Sequence, residues 1–164
     1  MSKIWFLSGY LLLAILSCQT AESTENEESI ESTISLEDYI VGEWENVSLE
    51  VVVNSHNNTD SSFSILVPKG SWEEKLGIKP IQTHYDSNNT YQSVYRSLND
   101  SIVQTTRGIW NVFGDTLMLI ESDATYEYSV RLRDSLGEFR AILDWDGDGK
   151  IDDTYKGIQV KKLE

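Results

Sequence analysis

The sequence predicts an all-β domain, an antiparallel up-and-down β-barrel of about eight strands, with a β-sandwich as the competing architecture. Two observations predict it. From Ile40 onward, short stretches rich in Val, Ile, Thr, Tyr and Trp alternate with Gly, Asn, Asp and Ser, the pattern of strands and turns, and no long helical period interrupts them. The connections are short enough for hairpins, at Asn88-Asn89, Asn99-Asp100, Phe113-Gly114-Asp115, Ser135-Leu136-Gly137 and the Asp/Gly-rich run 144–153. A meander of eight or nine strands removes its edges by closing or stacking, and closure leaves room for side chains or one small ligand.

The chain begins with one positive charge, Lys3, followed by an apolar stretch from Ile4 to Leu16 broken only by Ser8, Gly9 and Tyr10. That is the layout of a signal peptide, and the stretch is shorter than the ~20 apolar residues a membrane-spanning helix needs. It ends in Ile15-Leu16-Ser17-Cys18, which resembles the lipobox of bacterial lipoproteins, with Leu16 bulkier than the pattern prefers. Cys18 is the only cysteine, so it belongs to no internal disulfide and to no cysteine-based metal site. The resemblance implies cleavage after residue 17 and attachment of acyl chains such as palmitate to Cys18. Two or more chains anchor a protein stably where one does so only marginally. The expected location is the bacterial cell envelope, lipid-anchored at the outer membrane, with the periplasmic or surface face left open.

Residues 18–35 carry five glutamates, no basic residue and no aromatic, and of larger apolar residues only Ile30 and Ile34. Such a segment buries too little surface to offset chain entropy and is expected to be a disordered acidic tether, spanning roughly 20 Å as a flexible chain. Acidic residues soon after the lipidated cysteine also resemble surface-export signals of some Gram-negative lipoproteins. The domain is expected over residues 36–164. The formal net charge is −14, with no Lys or Arg between Lys3 and Lys69, which excludes nucleic acid and anionic lipid as direct partners and favours metal cations. No protein partner is identifiable.

Within the domain, Ser35-Leu36-Glu37-Asp38 predicts a helical turn, and strands follow at 41–53, 63–67, 81–86, 90–97, 101–112, 116–122, 125–133, 138–145 and 154–162. Ser71-Trp72-Glu73-Glu74 has capping-box spacing, with Gly77 as a stop and Pro80 beyond it, so a second helical turn is expected at 70–78 to cover a barrel end. Tyr126, Tyr128, Val130 and Leu132 alternate with Glu127, Ser129, Arg131 and Arg133, which gives that strand one buried and one wet face. In a hollow barrel, Tyr126 and Tyr128 with Trp72 at the mouth would suit an apolar or amphipathic ligand, each offering an apolar body and a polar tip.

The helical turn followed by Ile40-Val41-Gly42-Glu43-Trp44 resembles the lipocalin signature, Gly-x-Trp at the start of the first strand. The rest of the domain, including Thr83-His84-Tyr85 and Gly108-Ile109-Trp110, is similar in arrangement to small lipocalin-like lipoproteins. The resemblance implies a calycin-type barrel whose floor is closed by Trp44, with Gly42 allowing close approach there. No copy of the later lipocalin motifs is found, and no C-terminal helix follows the last strand.

Asp144-Trp145-Asp146-Gly147-Asp148-Gly149-Lys150-Ile151-Asp152-Asp153 is the most specific motif. It places carboxylates at loop positions 1, 3, 5 and 9, Gly149 at the sharp turn and the Lys150 carbonyl next, as a Ca²⁺ loop needs, but Tyr155 stands where an EF-hand has its bidentate Glu. The motif resembles calcium hairpins that join adjacent strands in some extracellular proteins. The expected ligands of a structural Ca²⁺ are therefore Asp144, Asp146, Asp148, Lys150 and Asp152, and the competing reading is a solvated acidic hairpin. With two histidines and no Gly-x-Ser-x-Gly, phosphate loop or His-based zinc spacing, no enzyme and no catalytic residues are expected. The leading function is a membrane-anchored barrel that binds a small apolar or amphipathic ligand. The competing one is a filled-barrel structural or interaction module that binds a protein or glycan.

Overall fold

A computed structural model describes residues 35–162. The segments expected to be a signal peptide and an acidic tether, with Cys18 between them, lie outside the described residues up to Ile34, as do Leu163 and Glu164. No helix among the described residues is long and apolar enough to cross a membrane.

The elements run α1 (Leu36–Ile40), β1 (Gly42–Val53), β2 (Phe63–Val67), α2 (Trp72–Leu76), β3 (Gln82–Tyr85), β4 (Thr90–Arg96), β5 (Ile102–Phe113), β6 (Thr116–Ile120), β7 (Thr125–Arg133), β8 (Leu136–Leu143) and β9 (Asp153–Lys161). Every pairing is antiparallel. From β3 to β9 each strand pairs with its successor, and β1 pairs with both β3 and β9, so eight strands close into a barrel. The β1–β9 seam runs from Trp44 opposite Lys161 to Val52 opposite Thr154. On its other edge β1 serves two partners: Gly42–Glu45 pair with β3, while Leu49–Val53 pair with β2, which lies outside the closed ring.

A bulge between Asn46 and Ser48 changes the parity of β1. Trp44 and Asn46 are buried before it and Leu49, Val51 and Val53 after it, so one inner face is kept across an odd spacing. Strand β7 shows the expected alternation, with Tyr126, Tyr128, Val130 and Leu132 on the less exposed face. Two local expectations are corrected. The β7–β8 turn is Asp134-Ser135, with Asp134 at φ +50°, and Leu136 and Gly137 already belong to β8. Gly137 reads as a turn residue but marks a close approach, since an added Cβ would lie 3.0 Å from Trp44. Ser71 does not cap α2 with its side chain, because its Oγ donates to the Pro68 carbonyl instead; Gly77 does end α2, at φ +67°.

The core has two parts. At the end of the barrel where β1 begins, Ile40, Trp44, Tyr85, Trp110, Leu117, Val130 and Phe139 pack together. Trp44 Nε1 donates to the Ile40 carbonyl at 2.7 Å, and the indole meets Tyr39 and Phe139 edge-on at 6.0 and 5.9 Å. Gly42 has φ +119°, a conformation that side chains other than hydrogen rarely adopt, and it lies beneath the Lys161 side chain. Lys161 in turn donates to the Tyr39 carbonyl and stands 4.5 Å over that ring. The second part joins Leu49, Val51, Val53, Val67 and Trp72, so α2 packs on the inner face of β1 and β2.

Candidate functional site: a tyrosine-lined cavity and an acidic loop

Beside the first part of the core, whose Tyr85, Tyr91, Leu119 and Phe139 help to line it, the barrel keeps a cavity of about 370 Å³. Its walls carry six tyrosines, Tyr85, Tyr91, Tyr95, Tyr126, Tyr128 and Tyr155, drawn from β3, β4, β7 and β9. Tyr126 and Tyr128, expected from the alternation of β7, are among them. Trp72 is not: it is 3 % exposed in the second core cluster, because α2 turns its apolar face onto β1 and β2. The aromatic rings contact one another, Tyr85 with Tyr91 at 6.0 Å, Tyr126 with Tyr128 at 6.5 Å and Tyr128 with Tyr155 at 5.6 Å. Amide and hydroxyl groups of Asn46, Gln104, Thr106 and Gln159 interrupt the aromatic wall, and the Oε1 atom of Gln159 is buried with no hydrogen-bond partner.

Burial raises the phenol pKa values of this group. Tyr128 is held well above the ordinary range by burial and then by its phenolic neighbours, and Tyr155 is pushed up to about 12. Tyr91 is raised by burial and by its hydrogen bond to Glu121, which it reaches at 2.5 Å. A raised folded-state pKa means full stability below the unfolded value of ~10 and loss of stability as pH rises from there towards the folded values. The barrel is thus expected to unfold cooperatively above about pH 10, with tyrosinate absorbance appearing together with the loss of β-sheet circular dichroism. Phenol ionisation near the ordinary value with the fold intact would contradict the burial argument.

The β8–β9 connection, residues 144–152, stands at the opposite barrel end from α1 and is clasped by the β1–β2 loop. Ser55, Asn57 and Asn58 have positive φ, which the Asn residues tolerate, and the backbone of this loop turns its N–H groups towards the carboxylates. His56 Nδ1 and the Asn57 N–H donate to Asp146 Oδ2 at 2.8 and 3.1 Å, and the Asn58 N–H donates to Asp148 Oδ2 at 2.9 Å. Ser55 Oγ donates to Asp152 Oδ2 at 2.7 Å. Burial works to raise the Asp146 pKa, but the bonds from Asn57, His56 and the Asp148 N–H outweigh it and hold the carboxyl below its ordinary value.

Asp153, the first residue of β9, is fully buried. It accepts the Asn54 N–H at 2.7 Å on one oxygen and the Trp145 and Asp146 N–H groups at 2.8 and 3.4 Å on the other. Carboxylate oxygens of Asp144, Asp146 and Asp153 lie within 4.8 Å of one another. Asp144 Oδ1 and Asp152 Oδ1 are buried with no hydrogen-bond partner. Of the five residues expected as metal ligands, the convergent cluster thus holds Asp144 and Asp146. The Asp148 carboxylate is turned to Asn58 and to the Lys150 N–H at 2.9 Å, and Lys150 takes part through that N–H. Gly149 turns at φ +89°, which frees its N–H to donate to Asp144 Oδ2 at 2.9 Å. The strands on both sides of the loop set it apart from a helix–loop–helix site.

Sequence reasoning missed Asp153 as a cluster member and missed the clasp. The run Asn54-Ser55-His56-Asn57-Asn58 carried a readable signal, since closely spaced Asn residues favour positive φ and local side-chain to backbone bonding. The second histidine, His84, lies on the outer face, with Nδ1 2.9 Å from Glu43. No protein-family model matches the chain, and a search of curated proteins gives no match either.

Proposed function

We propose that this chain is a lipid-anchored, non-enzymatic envelope protein whose lipocalin-like barrel binds one small amphipathic ligand, with calcium pinning the β8–β9 hairpin. The observation that carries the reading is the cavity of about 370 Å³ inside the closed barrel. Ligand pockets run from ~300 to 1,000 Å³ and combine apolar walls with a few polar groups. Here aromatic faces supply the apolar walls, and phenol, amide and hydroxyl groups supply the polar ones. The lining favours an amphipathic over a purely apolar ligand, and the volume speaks against a barrel filled by its own side chains. Native mass spectrometry of protein purified from envelopes is expected to show one small molecule per chain, lost in Thr106→Trp, which fills the space. A wild-type mass equal to the lipidated polypeptide alone, and unchanged by added amphiphiles, would count against ligand binding.

Calcium would be held by Asp144, Asp146 and Asp153, whose carboxylate oxygens converge. Ca²⁺ takes 6 to 8 oxygens at ~2.3–2.6 Å, so two ligands on opposite sides of one ion stand up to about 5 Å apart, the span of this cluster. A bound cation also relieves the mutual repulsion of carboxylates in one tight turn. The anchor rests on Cys18: labelled palmitate is expected in the wild-type chain and absent from Cys18→Ser, which should leave the membrane fraction. Unlabelled wild-type protein, or a variant still in the membrane fraction, would remove the anchor from this reading.

A further inference from the structure

The charge pattern of the cavity narrows the ligand. Among the described residues that line it there are two carboxylates, Glu121 and Asp144, and no Lys, Arg or His. Asp144 is engaged by the Gly149 N–H and belongs to the acidic loop. Glu121 follows β6 at the rim and receives the Tyr91 hydroxyl at 2.5 Å. Trp145 adds a further aromatic face, stacked on Tyr155 at 6.0 Å. The phenols and Trp145 line the space as neutral aromatic groups. The face of such a ring attracts a cation within about 6 Å of its centroid, most strongly where water is displaced. An anionic ligand would meet two carboxylates and no countercharge.

From the six tyrosines, Trp145 and Glu121 around a cavity without a basic side chain, we infer that the ligand is a small organic cation, an ammonium bearing methyl or ring groups. This rests on the ligand-binding reading above and specifies its chemistry. The aromatic faces take the alkyl groups and the diffuse positive charge, and Glu121 supplies the counter-ion. Inorganic cations, which keep their water, fit the carboxylates of the acidic loop better than these rings.

The test uses the full chain in nonionic detergent at physiological salt, titrated calorimetrically with choline, with 3,3-dimethyl-1-butanol, in which carbon replaces the quaternary nitrogen, and with benzoate. Choline is expected to bind at least tenfold more tightly than its carbon isostere, and benzoate not at all. Glu121→Gln is expected to reduce that preference severalfold, leaving the share due to the aromatic rings, while the alcohol's affinity stays unchanged. Glu127→Gln, which removes one charge from the outer face of β7, is expected to leave both affinities unchanged and so separates the cavity from the general acidity of the surface. Equal affinity for the two isosteres, or tighter binding of benzoate, overturns the cation assignment and leaves the ligand-binding barrel standing. No binding of any probe, together with no co-purified small molecule, overturns both.

Discussion

Trp44→Ala is expected to destabilise the domain by about 3–5 kcal/mol, the usual cost of deleting a large aromatic from a packed core, which lowers the melting temperature by roughly 10–20 °C. Trp44 is fully buried, and its indole is the element that α1, β1 and β8 share through Tyr39, Ile40, Phe139 and Gly137. Removing it opens a void at the barrel end and leaves the Ile40 carbonyl without its donor. Trp44→Phe keeps a six-membered ring in the floor but loses the N–H and three ring atoms, so an intermediate cost of about 2–3 kcal/mol is expected. Chemical denaturation measures both. A Trp44→Ala loss below about 1 kcal/mol would mean that the floor collapses onto the space and that the tryptophan is not its keystone.

Strand positions were legible because each depends on local signals, alternation and turn residues. Closure was legible as an inference from hairpin after hairpin. What lay beyond local pattern was the double pairing of β1, whose second half leaves β3 for β2, since nothing in Leu49–Val53 distinguishes a barrel partner from an outside one. The same division holds at the site. Tyr126 and Tyr128 could be found from the period of one strand, whereas Tyr85, Tyr91, Tyr95 and Tyr155 join them only through the register of a closed barrel. Trp72 was misplaced for a related reason: capping-box spacing finds a helical turn but not the direction its apolar face will take. For the acidic run, a loop template counts positions from Asp144 and arrives at Asp152. The pleat of β9 decides otherwise, turning Asp153 inward and leaving Asp152 to the Asn54–Ser55 side of the loop.

Asp153→Ala carries the second large expected effect, a loss on the order of 3 kcal/mol, because a buried acceptor of three backbone N–H groups is removed and nothing nearby replaces it. The carboxylate ties Asn54 at the end of β1 to Trp145 at the start of the acidic loop, so its removal should loosen the clasp and the hairpin together. Faster amide exchange at Asn54 and Trp145 is the local readout. Calcium separates this structural role from metal binding. In the wild-type chain, calcium at about 100 times its Kd should add about 2.7 kcal/mol if it binds only the folded state, a gain that chelator reverses. In Asp153→Ala the calcium response should disappear, in addition to the loss of basal stability. A destabilised variant that still responds fully to calcium would confine Asp153 to its backbone bonds and leave the cation to Asp144 and Asp146. A wild-type chain whose melting is indifferent to calcium and chelator would leave the carboxylates as a hydrogen-bonded clasp without metal.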